Sequence, residues 1–124
     1  MVRAFIILGA INGFLAVALG AFGAHGLEDK LTAKMMDTWE KGVDYQMFHT
    51  MGLFIVAFAA NKWPGLSVLK WSGIMMLIGI LLFSGSLYIL STSGITKLGA
   101  ITPFGGVSFL AGWTLLAIAA YKGK

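Results

Sequence analysis

Four long stretches of this 124-residue chain contain no charged side chain. They are Ala4–Leu27, Tyr45–Asn61, Trp71–Thr96 and Leu98–Tyr121, of 24, 17, 26 and 24 residues. All nine Lys and Arg and all five Asp and Glu lie between or beyond them. A helix of about 20 apolar residues crosses the roughly 30 Å hydrocarbon core of a bilayer. A helix in water needs a wet face and carries charge along its whole length. The pattern therefore predicts an all-α membrane protein with four antiparallel transmembrane helices, at about 4–23, 43–60, 70–90 and 102–121. The spans use nearly the whole chain, so 1–124 reads as a single transmembrane domain.

Composition supports that reading and excludes several others. Hydrophobic residues make up 58% and charged residues 11%, against roughly 25% charged in a soluble domain. The net charge of +4 is no nucleic-acid signature, because the basic residues stand singly at loop edges without a patch or interleaved aromatics. They suit lipid headgroups instead. There is no cysteine, which excludes disulfides, thiol catalysis, cysteine metal sites and a lipoprotein anchor. Arg3, the apolar run after it and Ala-Phe-Gly-Ala at 21–24 have the outline of a cleavable signal. The run is longer than the 7–15 residues of a signal core, and it reads as an uncleaved first span.

With four spans both ends lie on one side, with Arg3, Lys62, Lys70, Lys122 and Lys124. Lys30, Lys34, Lys41, Lys97 and every acid lie on the other. The excess of basic residues points to cytoplasmic termini.

The first span carries Gly9, Gly13, Ala16 and Gly20 at helical spacing, a stripe that lets a neighbouring helix approach closely in lipid. Its one strongly polar residue is Asn12, read either as interhelical hydrogen-bond glue or as a transport ligand. Between the first two spans, Leu27, Leu31, Met35 and Trp39 recur every four residues among charges. That predicts an amphipathic interfacial helix at about 28–42, capped by Thr32 or Asp29, with Trp39 at headgroup level. Gly42 either bends it into the second span or lets it run on unbroken. Pro64-Gly65 makes a turn, and Pro103 suits the first turn of the fourth span.

Four strings stand in order along the chain: LGAFGAHGL (19–27), YQMFHTMGL (45–53), LFSGSLY (82–88) and ITPFGGVSFLAGW (101–113). Together they resemble the YgdD/YwdK-like family of small bacterial inner-membrane proteins of unknown function. The resemblance covers nearly the whole chain. It implies a four-span membrane protein and supplies no activity, substrate or catalytic residue.

Chemistry concentrates at one end. His25 closes the first span, Tyr45, Gln46 and His49 enter the second, and Ser84, Ser86 and Tyr88 leave the third. Tyr45 and His49 share a helix face. The expectation is one polar cluster in the outer half, centred on His49, with His25, Tyr45, Gln46, Ser84, Tyr88 and Asn12 as the candidate residues. The other half is nearly all apolar apart from Asn12 and Thr114. His49 is either a proton-responsive or ligand-binding group, or a neutral ring satisfied by Tyr88, Ser84 or Gln46. His25 reads as a helix terminator.

Two histidines with Asp44 or Glu28 could supply three metal ligands, but no local spacing supports it, and no metal or cofactor is expected. Ser84 or Ser86 with His49 and Asp44 could be drawn as a hydrolytic set. No nucleophile-elbow motif is present, so no enzyme is expected. Two functions remain. The first is an accessory or structural protein that binds lipid or a membrane partner. The second is a small oligomeric transporter or channel with a polar route along His49, Gln46 and Asn12.

Overall fold

The computed structural model describes residues 1–123; Lys124, one of the basic residues on the side of the termini, lies outside them. The elements are α1 (Val2–Gly26), α2 (Ala33–Lys62), α3 (Ser67–Gly79), a π-helical segment (Ile80–Ser84), α4 (Gly85–Ser93), a short 3-10 turn (Thr96–Ala100) and α5 (Thr102–Lys122). The described residues are all helix, turn or coil. Four continuous helical stretches, Val2–Gly26, Ala33–Lys62, Ser67–Ser93 and Thr96–Lys122, are long and apolar enough to cross a membrane.

The helix ends arise from local chemistry. The Thr32 hydroxyl accepts the Met35 amide at 3.2 Å and starts α2. Gly65 and Gly94 have φ of +86° and +74°, which only glycine adopts without strain, and they turn the chain after α2 and α4. Pro103 sits in the first turn of α5, where its missing N–H costs nothing.

Residues 33–42 are not a separate helix along the membrane surface. They are the first turns of α2, which runs unbroken through Gly42. The reason is Trp39, which is buried in the bundle. Its indole N–H donates to the Leu19 carbonyl at 3.0 Å, and its ring lies against Phe22 and Tyr88. A side chain at Gly23 would overlap this indole, so the glycine lets α2 stay against α1 beyond the expected span. Residues 28–32 are turn, not helix.

The chain folds as antiparallel neighbours. Gly9, Gly13 and Gly20 face Phe54, Thr50 and Val43 in turn, so the small-residue stripe of α1 packs on α2. Ser72 bonds Gly112 and Ser108 bonds Met75, which sets α3 antiparallel to α5. The π segment and α4 pack on α2, where Ser84 meets Gly42. The core is built from Phe5, Leu53, Val56, Met76, Ile80 and Phe109. It closes by large-on-small packing: Phe5 fills the space over Gly73, and Phe109 the space over Gly79.

The surface is the reverse of that of a protein in water. Phe14 and Leu81 are 73% and 72% exposed, while Ser72 and Ser84 are 0% exposed. Asn12, Gln46, His49, Thr50 and Ser108 are also buried. Every Lys, Arg, Asp and Glu among the described residues is exposed. Polar groups inside and hydrocarbon outside is the arrangement that lipid favours.

Candidate functional site

The expected single cluster is two separate networks on adjacent faces of α2. On the side facing α1 and α4, hydrogen bonds join three helices in a line. The Tyr88 hydroxyl donates to Gln46 Oε1 at 2.7 Å. Gln46 Nε2 donates to Asn12 Oδ1 at 3.0 Å, and Asn12 Nδ2 donates to the Leu8 carbonyl at 2.9 Å. The Thr50 hydroxyl donates to the Gln46 carbonyl at 2.7 Å. Asn12 is therefore joined to the cluster rather than isolated below it.

His49 belongs to the other network. Its Nδ1 lies 2.8 Å from the Tyr45 carbonyl, and its Nε2 accepts the Trp113 indole N–H at 3.0 Å. An indole can only donate and a carbonyl can only accept. The ring proton therefore sits on Nδ1, and the site as built holds a neutral imidazole. The ring stacks on Phe109 with centroids 3.4 Å apart and planes within 9°. The expected partners Tyr88, Ser84 and Gln46 are not bonded to it. Helix rotation explains the difference: Gln46 and His49 lie three positions apart, about 60° around the axis, enough for Gln46 to meet α1 and α4 while His49 meets α5.

The remaining candidates divide between these places. Ser84 Oγ donates to the Gly42 carbonyl at 2.7 Å and ties the π segment to α2. Ser86 pairs with Thr102 at 2.6 Å and donates to Phe83 O. Neither serine is bonded to His49 or Asp44, so the drawn hydrolytic set does not form. The Tyr45 ring lies against Phe83 at 4.3 Å, on the side of α2 toward α5. His25 is exposed in the last turn of α1, outside both networks. Among the described residues no three His, Cys, Asp or Glu side chains converge as a metal site.

The Ile80–Ser84 π segment sets this geometry, and nothing in the sequence signalled it. The Gly85 amide reaches back five residues to the Ile80 carbonyl. One extra residue rotates α4 by about 100° relative to an unbroken helix, which aims Tyr88 at Gln46. Within the π segment the Phe83 backbone lies against Gly105, where a Cβ would overlap it. Trp113 was missed as a site residue too. A signal existed, since an indole in mid-span needs an acceptor and His49 was the ring available.

Beside His49 a groove of about 520 Å3 opens between α2 and α5. Phe48, Phe83, Val107, Leu110 and Trp113 line it, with Tyr45 and Pro103 toward one end. Among the described residues, no buried side-chain nitrogen or oxygen lacks a hydrogen-bond partner. The arrangement offers an apolar flank rather than a free polar centre.

Residues 19–106 match the family described as "Protein of unknown function (DUF423)". The chain is 55% identical over 120 residues to the UPF0382 membrane protein YwdK of Bacillus subtilis, covering 97% of this chain and 98% of that protein. It is 46% identical over 127 residues to a UPF0382 membrane protein of Haemophilus influenzae, covering 100% and 98%. It is 43% identical over 123 residues to the UPF0382 inner membrane protein YgdD of Escherichia coli, covering 98% and 92%. No solved structure matches the chain. With four membrane-length helices, that family match and relatives of this identity along nearly their whole length, the chain belongs to the DUF423 family of membrane proteins, the YgdD/YwdK-like group.

Proposed function

We propose that the protein is a small accessory protein of the bacterial cytoplasmic membrane that binds membrane lipid on its flank, in the groove between α2 and α5, without transport or catalysis. The observation that carries this reading is the pairing of the buried polar atoms. Every buried side-chain nitrogen and oxygen among the described residues is hydrogen-bonded, and the interhelical bonds run between side chains and backbone of the bundle itself. A transport route needs polar groups free to take up a cargo in turn. The Asn12 oxygen, the Gln46 amide and the Tyr88 hydroxyl that would line one are instead joining helices, and the Thr50 hydroxyl is turned back to its own helix. The roomy space at His49 is lateral and lined by hydrocarbon and aromatic rings, which suits an acyl chain. Arg3, Lys62, Lys70 and Lys122 belong to one face of this topology, and we place it and both termini in the cytoplasm.

Liposomes loaded with a pH-sensitive dye test the reading, with potassium and proton gradients applied in turn. Wild type and His49→Ala should both leave the gradients intact, and detergent-extracted wild type should retain bound phospholipid. A flux through wild type that His49→Ala abolishes would establish the transporter reading in its place.

A further inference from the structure

Two cavities adjoin on one side of α2. The α2–α5 groove is apolar along Phe83, Val107, Leu110 and Trp113. The second, about 350 Å3, is lined by Asp44, Tyr45 and Phe48. Tyr45 and Phe48 line both. Lys41 lies three and four positions before Asp44 and Tyr45, and Phe48 four after Asp44, so all four share one helix face. All four are exposed.

Along this face the chemistry runs from a cation and a carboxylate, through two aromatic rings, to hydrocarbon. Asp44 beside the rings of Tyr45 and Phe48 is a setting for an ammonium group, through ion pairing and cation–π attraction. Lys41, about 5–6 Å away at Cβ, supplies a cation for the phosphate, and Glu40 and Asp37, four positions before Asp44 and Lys41, add acids to the same face. That complements a zwitterionic headgroup and disfavours a purely anionic one.

We propose that this face binds a phospholipid with an ammonium headgroup: the ammonium sits in the Asp44–Tyr45–Phe48 cavity and an acyl chain lies in the α2–α5 groove. The proposal rests on the lipid-binding function and names the lipid class. Size favours a chain over a helix as occupant. Ten residues of helix are about 15 Å long and 10–12 Å thick, roughly twice the groove's volume or more. Gly106 faces open space on this side, with nothing within 4 Å of where its Cβ would stand.

The test uses the full chain in nanodiscs of equal phosphatidylethanolamine and phosphatidylglycerol, released into detergent for native mass spectrometry. Wild type should carry phosphatidylethanolamine in preference by about fivefold, the scale of one exposed ion pair with a cation–π contact. Asp44→Asn should cut the ratio to about twofold, the share of the aromatic rings, while total bound lipid stays the same. Phe48→Ala should lower the ratio as well. Gly106→Phe, which fills the groove, should reduce both lipids together. No preference in wild type, or an Asp44→Asn ratio equal to wild type, overturns the headgroup assignment and leaves the lipid-binding reading standing. Wild type free of both lipids overturns that reading along with it. A dimer that Gly106→Phe dissociates while bound lipid stays constant overturns the proposal in favour of a second copy in the groove.

Discussion

The indole nitrogen of Trp113 lies 3.0 Å from Nε2 of His49, which stands 64 positions earlier in the chain. That contact decides the tautomer of the only deeply placed imidazole and, beside the His49–Phe109 stack, ties α5 to α2. It also turns the residue with the strongest claim to chemistry into an interhelical fastener.

A double-mutant cycle measures the fastener. Trp113→Phe and His49→Phe should each destabilise the protein. Their coupling in detergent unfolding titrations should be about 0.6–1.7 kcal/mol, the range of interhelical hydrogen bonds in lipid. A coupling indistinguishable from zero would show that the bond contributes nothing to folding.

The Asn12–Gln46–Tyr88 line predicts an unequal response along its length. Gln46→Leu removes the central member and strands both the Asn12 oxygen and the Tyr88 hydroxyl. Tyr88→Phe strands only Gln46 Oε1. Each orphaned group costs about 1–3 kcal/mol in a buried site. Gln46→Leu should therefore lower unfolding stability by roughly twice as much as Tyr88→Phe. Equal losses would mean that the amide re-pairs locally and the line is not a unit.

Neighbouring glycines 105 and 106 should behave as opposites. A Cβ at Gly105 meets the Phe83 backbone, which cannot move aside as a side-chain tip can. Gly105→Ala should cost about 1–3 kcal/mol by overpacking. At Gly106 the same methyl meets nothing within 4 Å. Gly106→Ala should be neutral or stabilising by up to about 1 kcal/mol, from helix propensity alone. Unfolding midpoints of the two variants in one detergent make the comparison.

Trp39 predicts where α2 frays. Trp39→Ala removes the bond to Leu19 and the ring between Phe22 and Tyr88. Amide hydrogen exchange should then speed up over residues 33–42 and stay slow over residues 50–60. Those deeper residues keep their packing against α1, α3 and the π segment. Protection unchanged over 33–42 would show that these turns hold to α1 without the indole.

The spans were legible because a charge at the centre of a helix in hydrocarbon costs on the order of 3 kcal/mol. Fourteen charges then mark where the membrane is not. The Thr32 cap, the Pro64-Gly65 turn and the place of Pro103 were legible for a related reason. Each depends on residues within a few positions along the chain. The interfacial helix expected at about 28–42 is not a separate element, because a buried Trp39 over Gly23 carries α2 past the end of its uncharged run.

Which helices would cross the bilayer, and which residues would be polar within them, was determined by the sequence alone, because solvation acts on each residue where it stands. Which polar group would meet which was decided only by tertiary structure. Rotation of each helix about its axis is set by rings seated on distant glycines, Phe5 on Gly73 and Phe109 on Gly79, and by one extra residue in the π segment. Those contacts put Gln46 with Asn12 and Tyr88, turned His49 away to Trp113, and opened the flank between α2 and α5.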